Sequence, residues 1–375
     1  MQQDAHRLEK IQQIMAFLRY IKESGGPLKE GIMSCFAMDK KSRDTAKLEF
    51  VCFGITDSCT LRCKMCHKWE EDIFIKRKAE EPALKDWKKC INSLSRIAGR
   101  PLQVNFGGGE PLLKKDILEI VRFSGSRKLE TNIATNGYLI DEIMAERIAD
   151  SGLNSVIISL DSLNEDTHDY LRGVNGVYSR VIKAIENLEK HGRGIYKGIC
   201  CVIYDKNLED ILRLAEWVDR DSRLNSIYFM AAMQPNNTPL DSNWHKKEEF
   251  GFLWPKDSQK VCSLIDELIK LKNNNFKISN TVCQLEAFKS YYAHPERFVK
   301  NTRCNMDTAL HISSCGDIFL CYRWGLLGNI KSDDLADVWY SEKAEKVRQD
   351  IVTCKHNCHF LLNCFFKGDY PFELA

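Results

Sequence analysis

From residue 48 onward, short apolar runs alternate with amphipathic stretches. The runs at 48–55, 102–106, 129–134, 155–160, 197–203 and 226–231 predict buried strands. Between them, apolar positions recur at helical spacing over 83–98, 114–124, 140–151, 177–191 and 208–219, which predicts amphipathic helices. Strand and helix in strict alternation is the pattern of repeated βαβ units around a parallel sheet, either an open doubly wound sheet or a partial barrel. Ahead of this region, Leu8, Ile11, Ile14, Met15 and Leu18 share one face of a predicted lead-in helix over 5–23. Behind it, residues 232–256 carry Pro235, Pro239 and Pro255 and read as irregular. Met233, Trp244 and Trp254 in this stretch are candidates for a substrate wall, set against ordinary loop packing. Two helices, 257–273 and 281–293, lead to a cysteine-dense end.

In either architecture, functional residues gather where strands end. The first predicted strand runs into Cys59-Thr-Leu-Arg-Cys63-Lys-Met-Cys66. Three thiolates at C-x3-C-x2-C spacing suit a soft metal centre, and a cubane iron–sulfur cluster fits best. A zinc site or a four-cysteine cluster needs a fourth ligand nearby. The next cysteine is Cys90, so the loop offers three ligands to four irons and leaves one iron open. Later strands end at Gly107-Gly108-Gly109-Glu110-Pro111, Thr135-Asn136-Gly137 and Ser159-Leu160-Asp161. Taken singly, these are turns and helix caps.

Taken in this order behind that cysteine loop, they resemble the radical S-adenosylmethionine (SAM) enzymes. The resemblance covers about residues 48–231, and Met65 stands where the family usually has an aromatic residue. It implies a partial (β/α)6 TIM-like barrel, an α/β fold, with Cys59, Cys63 and Cys66 holding a [4Fe–4S] cluster and SAM lying across the strand ends. Gly108, Gly109 and Glu110 correspond to the segment that meets the methionyl amino group, and Glu110 is the candidate acceptor for its ammonium. Asn136 belongs to the segment after the third strand. Ser159 and Asp161 belong to the segment that reaches ribose and carboxylate, and Arg172 is the candidate partner of the methionyl carboxylate. A fork of guanidinium N–H groups suits that carboxylate. The implied chemistry is reductive SAM cleavage to a 5′-deoxyadenosyl radical, which abstracts hydrogen from a substrate carbon.

The C-terminal cysteines resemble the SPASM/twitch pattern of auxiliary clusters. Cys304, Gly316, Cys321 and Gly328-Asn329-Ile330 match its opening, and Cys354-x3-Cys358-x5-Cys364 approximates its closing run. Cys315 fits none of its positions, and no cysteine follows Cys364. One auxiliary [4Fe–4S] cluster is therefore expected, with Cys304 and Cys321 as ligands and the rest from Cys354, Cys358 and Cys364. A four-cysteine zinc site is the alternative. Gly316 predicts the tip of a hairpin between 311–314 and 318–321, which puts Cys315 at the tip. Cys35, Cys52, Cys90, Cys200, Cys201, Cys262 and Cys283 read as small core residues. The expected organisation is a helical lead-in over 1–46, a radical SAM core over 47–232, connecting loop and helices over 233–300 and a SPASM/twitch domain over 301–375.

Charge and composition narrow the partners. With 54 basic and 52 acidic residues, the chain offers no field for nucleic acid or an anionic membrane. It has no membrane-length apolar run, and its N-terminus does not read as a secretory signal. Sixteen cysteines in that setting point to a reducing, cytoplasmic compartment. The expected partners are a small-molecule or peptide substrate and a flavodoxin- or ferredoxin-type reductant. Peptide-modifying members of the family that the C-terminal cysteines resemble often carry an additional peptide-binding domain, and only about 47 residues precede the first strand here. The resemblance therefore implies a small molecule such as a sugar or cyclitol, with dehydrogenation or epimerisation as the outcome, or a peptide recognised without that domain. A peptide-modifying enzyme is the alternative, with crosslinking, epimerisation or maturation as its outcome. An iron–sulfur electron carrier or scaffold is the non-enzyme alternative, and it leaves Glu110, Ser159 and Arg172 unexplained. No residue is singled out as directly catalytic.

Overall fold

Six parallel strands form the centre of the fold: β1 (Phe50–Thr56), β2 (Gln103–Gly108), β3 (Glu130–Thr135), β4 (Ser155–Ser159), β5 (Tyr196–Ile203) and β6 (Ser226–Ala231), paired in sequence order. The computed structural model describes residues 47–363 apart from 67–68, 70–79, 99–101, 193, 236–237, 239–240, 242, 297–303, 355 and 357–359. The predicted helix over 5–23, the whole segment 1–46 with Cys35, and Pro239, Cys358 and Cys364 lie outside the described residues. Helices α1 (Leu84–Ile97), α2 (Ile117–Ser126), α3 (Glu142–Asp150), α4 (Glu165–Arg172), α5 (Val177–His191) and α6 (Ile211–Arg220) fill the connections. The result is a partial (β/α)6 barrel.

Side chains alternate across each strand, so one face of the sheet is core. Val51, Phe53 and Ile55, Val104 and Phe106, Val156 and Ile158, and Ile227 and Phe229 are fully buried on that face. The other face, on Cys52, Gly54, Asn105, Gly107, Ile157, Cys200, Val202 and Tyr228, stays partly open. This inner face leads up to the strand ends that carry the cysteine loop.

The sheet does not stop at β1. β7 (Ala309–Ile312) pairs parallel to β1 on its free edge, and β8 (Asp317–Phe319) and β9 (Gly328–Asn329) continue antiparallel. The predicted hairpin is therefore present, with Gly316 at φ +90° in its tip. At the opposite margin, the edge of β6 is closed by amide side chains. Asn280 exchanges hydrogen bonds with both backbone groups of Phe229, and Asn363 does the same with Ala231 at 2.7 and 2.8 Å. An exposed strand edge invites aggregation, and the two asparagines, with a backbone bridge from Ile278 to Ile227, cover it here.

α7 (Ser258–Asn273) and α8 (Val282–Ala293) lie where the spacing predicts them. Trp244 is fully buried, edge-on to Trp254 at 5.8 Å, and Trp254 packs on Tyr291 at 5.1 Å. Tyr292 Oη accepts from Ala232 N and donates to Ile203 O. Trp244 is thus core packing behind the ends of β5 and β6. The helices α4, α9 (Leu335–Trp339) and α10 (Glu342–Val352) are additions to the sequence reading. A last turn, α11 (Phe360–Asn363), ends at the asparagine that caps β6.

Candidate active site

The cysteine loop is held from two sides by backbone. From β2, Gly109 N donates to Thr56 O at 2.6 Å and Glu110 N to Ser58 O at 2.7 Å. A Cβ on Gly108 would lie 2.3 Å from Thr56 O, and one on Gly109 2.2 Å from Ser58 O, so both positions require glycine. From α4, Arg62 N donates to Arg172 O and Lys64 N to Leu171 O, at 3.1 and 2.9 Å. The last carbonyls of a helix have no partner of their own, and here they hold the loop. Gly173 ends α4 at φ +70°, the left-handed conformation of a helix C-terminus, with its Cα against Arg62 O.

Glu110 is fully buried beneath the loop. Its Oε1 accepts from Thr135 Oγ1 at 2.8 Å and Leu112 N at 3.2 Å, and its Oε2 accepts from Asn136 N at 2.9 Å. Burial raises its pKa to about 7, against the lowering effect of these donors. Asn136 reaches onward, with Nδ2 3.8 Å from Cys59 Sγ and 3.5 Å from Thr60 Oγ1. The Gly108–Glu110 and Thr135–Gly137 segments thus form one brace under the first cysteine.

Arg172 and Asp161 form a buried ion pair at 2.8 Å. Asp161 Oδ1 also accepts from Val202 N, and the Arg172 guanidinium bonds the Cys63 thiol. Burial opposes the guanidinium charge, yet Asp161 and Cys63 move its pKa upward overall. Arg172 Nε is buried with no hydrogen-bond partner. One turn earlier on α4, His168 Nδ1 accepts from Asp161 N at 3.1 Å, which puts the ring proton on Nε2. That Nε2 is also buried without a partner. Burial, and then Arg172, push the His168 pKa well down, so the ring is neutral. Ser159 ends β4, half-buried on the inner face.

The donor set fits a cluster better than a single ion. Tetrahedral zinc holds thiolates about 3.8 Å apart. Among the described residues, only the largely exposed trio Glu142, Glu146 and His191 brings three ligand atoms within 4.8 Å of one another; Cys59, Cys63 and Cys66 are spread more widely. In the cluster-free chain, burial raises the Cys59 thiol to about 11 and moves Cys63 upward as well. A metal centre that binds them as thiolates therefore displaces protons.

At the other end of β7 and β8, Cys304 precedes the hairpin and Cys321 follows it. Burial raises the Cys321 pKa, and Cys354 contributes as a neighbouring charge. Cys315 sits at the tip, its sulfur 3.9 Å from Ser314 Oγ and within hydrogen-bond reach of Glu80. Ser314 Oγ donates to Asp57 at 2.5 Å, which ties this tip to the start of the cysteine loop.

A family model, the Radical SAM superfamily, matches residues 54–218, and a second, an iron–sulfur cluster-binding domain called SPASM, matches 304–364. The chain belongs to the radical SAM superfamily and carries a C-terminal SPASM domain. Its cofactors are SAM and [4Fe–4S] clusters. Fe-coproporphyrin III synthase of Methanosarcina barkeri is 30% identical over 50% of this radical SAM chain and 43% of its own. PqqA peptide cyclase of Granulibacter bethesdensis is 27% identical over 43% of this chain and 41% of its own. The chain thus spans less than half of the length of these two relatives. The AdoMet-dependent heme synthase of M. barkeri is 24% identical over 82% of this chain and 86% of its own. Among solved structures, SuiB of Streptococcus suis bound to S-adenosylmethionine superposes with a TM-score of 0.60 at 20% identity, over 81% of this chain and 68% of its own. The structure of anSMEcpe with bound AdoMet gives 0.60 at 17% identity, over 88% and 93%. These likenesses show the radical SAM fold. No helix among the described residues is long and apolar enough to cross a membrane.

α4, which carries His168 and Arg172 and docks the cysteine loop, is not among the helices that apolar periodicity predicts. Its signals are local: Asn164 accepts from Thr167 N as N-cap, Glu165 and Asp166 fill the first turn, and Gly173 ends it. With Leu171 as its one buried apolar side chain, it has no periodic apolar face to announce it.

Proposed function

We propose that this chain is a radical SAM oxidoreductase, in which Cys59, Cys63 and Cys66 hold the [4Fe–4S] cluster that binds SAM. The observation that carries the reading is the brace beneath that loop: Glu110, Asn136, Asp161 and Arg172, from three strand ends and α4, converge on Cys59 and Cys63. An electron carrier has no use for it. When bound and reduced, by a flavodoxin- or ferredoxin-type donor, the cluster and SAM supply a 5′-deoxyadenosyl radical that removes hydrogen from a substrate carbon.

The chain's own residues bind and orient. Gly108 and Gly109 let the end of β2 pack directly on the backbone of Thr56 and Ser58, which fixes the start of the loop that carries the cysteines. Glu110 uses three of its roughly four acceptor sites internally, and the remainder suits the methionyl ammonium. Arg172, held by Asp161, has Nε left for the methionyl carboxylate, and Ser159 adds a hydroxyl from β4. Burial of these charged groups strengthens each contact and keeps water out.

Cys304 and Cys321 are the proposed ligands of one auxiliary [4Fe–4S] cluster, and Cys354 is favoured beside them by its nearness to Cys321. Held there, such a cluster would supply a place to take up or return the electron of a substrate radical, which supports dehydrogenation or epimerisation. A small-molecule substrate is supported by the heme synthase, which matches over most of both chains. The 27% identity to a PqqA peptide cyclase favours a second reading, peptide modification.

The test is anaerobic reconstitution. The wild type should bind about eight irons as two cubanes. With dithionite and SAM it should release 5′-deoxyadenosine. The triple variant Cys59→Ala/Cys63→Ala/Cys66→Ala should lose about four irons and all cleavage. Full iron in that variant refutes the assignment.

A further inference from the structure

The inner face of the sheet is almost free of charge. Among the described residues of β1–β6 on that face, only Glu130 is ionisable to a full charge near neutral pH, and it lies at the start of β3, away from the cysteine loop. Across the middle of the same face runs a chain of amides. Asn105, Asn132 and Ser155 are register neighbours on β2, β3 and β4. Asn105 Nδ2 donates to Val51 O at 3.3 Å, Asn132 Nδ2 to Asn105 Oδ1 at 3.0 Å, and Ser155 Oγ to Asn132 Oδ1 at 2.8 Å.

The direction of this chain is forced. Val51 O can only accept, so Asn105 turns its nitrogen to it and its oxygen to Asn132. Asn132 must then present nitrogen to Asn105 and oxygen to Ser155, which donates. Each amide keeps a second N–H, and Ser155 Oγ keeps its acceptor capacity. A core position gains nothing from three polar side chains, since apolar residues of the same shape serve as well.

Space stands above the chain. A Cβ on Gly107 would meet nothing within 4 Å, and its φ lies outside the left-handed region, so the protein itself does not require glycine there. Gly54 pairs with Gly107 in register, and Ala134, in the middle of the sheet, is exposed. The amide chain lies three residues below Gly108 on β2, which at strand rise is roughly 10 Å beneath the mouth.

We propose that Asn105, Asn132 and Ser155 are the floor of the substrate site and select a neutral polyhydroxylated small molecule, of the sugar or cyclitol kind. The assignment rests on the radical SAM activity proposed above. Fixed neutral donors and acceptors pair well with hydroxyl groups. A carboxylate lowered onto this floor finds no cation among the residues of β1–β6 on this face, since Lys197 of β5 lies on the other, and leaves its charge uncompensated.

The reconstituted enzyme is given SAM and dithionite with myo-inositol, N-acetyl-D-glucosamine, a blocked neutral tripeptide or coproporphyrin III, and 5′-deoxyadenosine is timed. A polyol should raise the rate over the substrate-free level. Its half-saturating concentration should rise roughly five- to tenfold in Ser155→Ala and at least as much in Asn132→Leu, the loss expected for one hydrogen-bond partner. Ser155→Ala adds no bulk, so it reports even if Asn132→Leu fails to fold. Stimulation by the tripeptide or the porphyrin, by none of the polyols, or by a polyol with unchanged half-saturation in Ser155→Ala overturns the assignment. Absence of 5′-deoxyadenosine in every wild-type sample overturns the activity itself, and the floor with it.

Discussion

Gly173 and Gly176 make a matched pair for testing how α4 holds the cluster loop. Both have left-handed backbone, φ +70° and +79°. An alanine in that region costs roughly 1–2 kcal/mol. At Gly176 nothing lies within 4 Å of the added Cβ, so Gly176→Ala should lose that amount of unfolding free energy and nothing else. At Gly173 the Cβ would stand 2.0 Å from Arg62 O and 2.6 Å from Arg62 C. Both atoms are backbone, so no rotamer change relieves them. The loop must withdraw by on the order of 1 Å before repulsion ends, which breaks the bonds from Arg62 N and Lys64 N and moves Cys63. The assay pairs urea unfolding with iron content and the cluster's visible absorption after anaerobic reconstitution. Gly176→Ala should keep about eight irons, whereas Gly173→Ala should fall toward four, the barrel cluster being lost. Equal iron in the two variants refutes the docking role of α4.

Arg172→Ala leaves Asp161 as a buried unpaired carboxylate and should destabilise the chain by about 3–5 kcal/mol, while the double variant with Asp161→Asn should recover much of it in the same urea assay. Glu110 has a folded-state pKa near 7, above its ordinary 4.5, so the folded chain holds a proton that the unfolded chain releases between these values. Stability of the cluster-free protein should therefore fall as pH rises from 4.5 to 7, by on the order of 3 kcal/mol from this group, and Glu110→Gln should flatten that slope; parallel pH profiles of the two proteins speak against it. Cys304→Ala and Cys321→Ala should each lose about four irons by Mössbauer spectroscopy yet still cleave SAM, and Cys315→Ala should lose none. A loss in Cys315→Ala reopens the zinc reading of the C-terminal site.

Periodicity carried most of the barrel. The runs at 155–160 and 226–231 and the helix at 177–191 appear with nearly the expected ends, because each buries a full apolar face and the period alone announces it. α4 escaped because it buries one leucine and is fixed by backbone contacts to the cysteine loop, which no local pattern encodes. The same holds for Trp244. Its place in a proline-rich stretch leaves a pocket wall and ordinary packing both open, and contacts with Trp254 and the helix bearing Tyr291 decide for packing in the core.

The sequence by itself determined the six barrel strands, most of their helices, the thiol loop and the family resemblance, since apolar period announces a buried element and spacing along the chain is enough to state what three cysteines at C-x3-C-x2-C can ligate. Tertiary structure alone decided the partners. Asp161 and Arg172 are separated by a loop and a helix, and only the fold makes them an ion pair that reaches Cys63. Whether β7 would join the barrel sheet at β1 was equally open, because a strand's pattern shows which face is buried and not which edge it meets. The amide floor follows the same rule: Asn105, Asn132 and Ser155 read as unrelated polar residues until the parallel register sets them side by side.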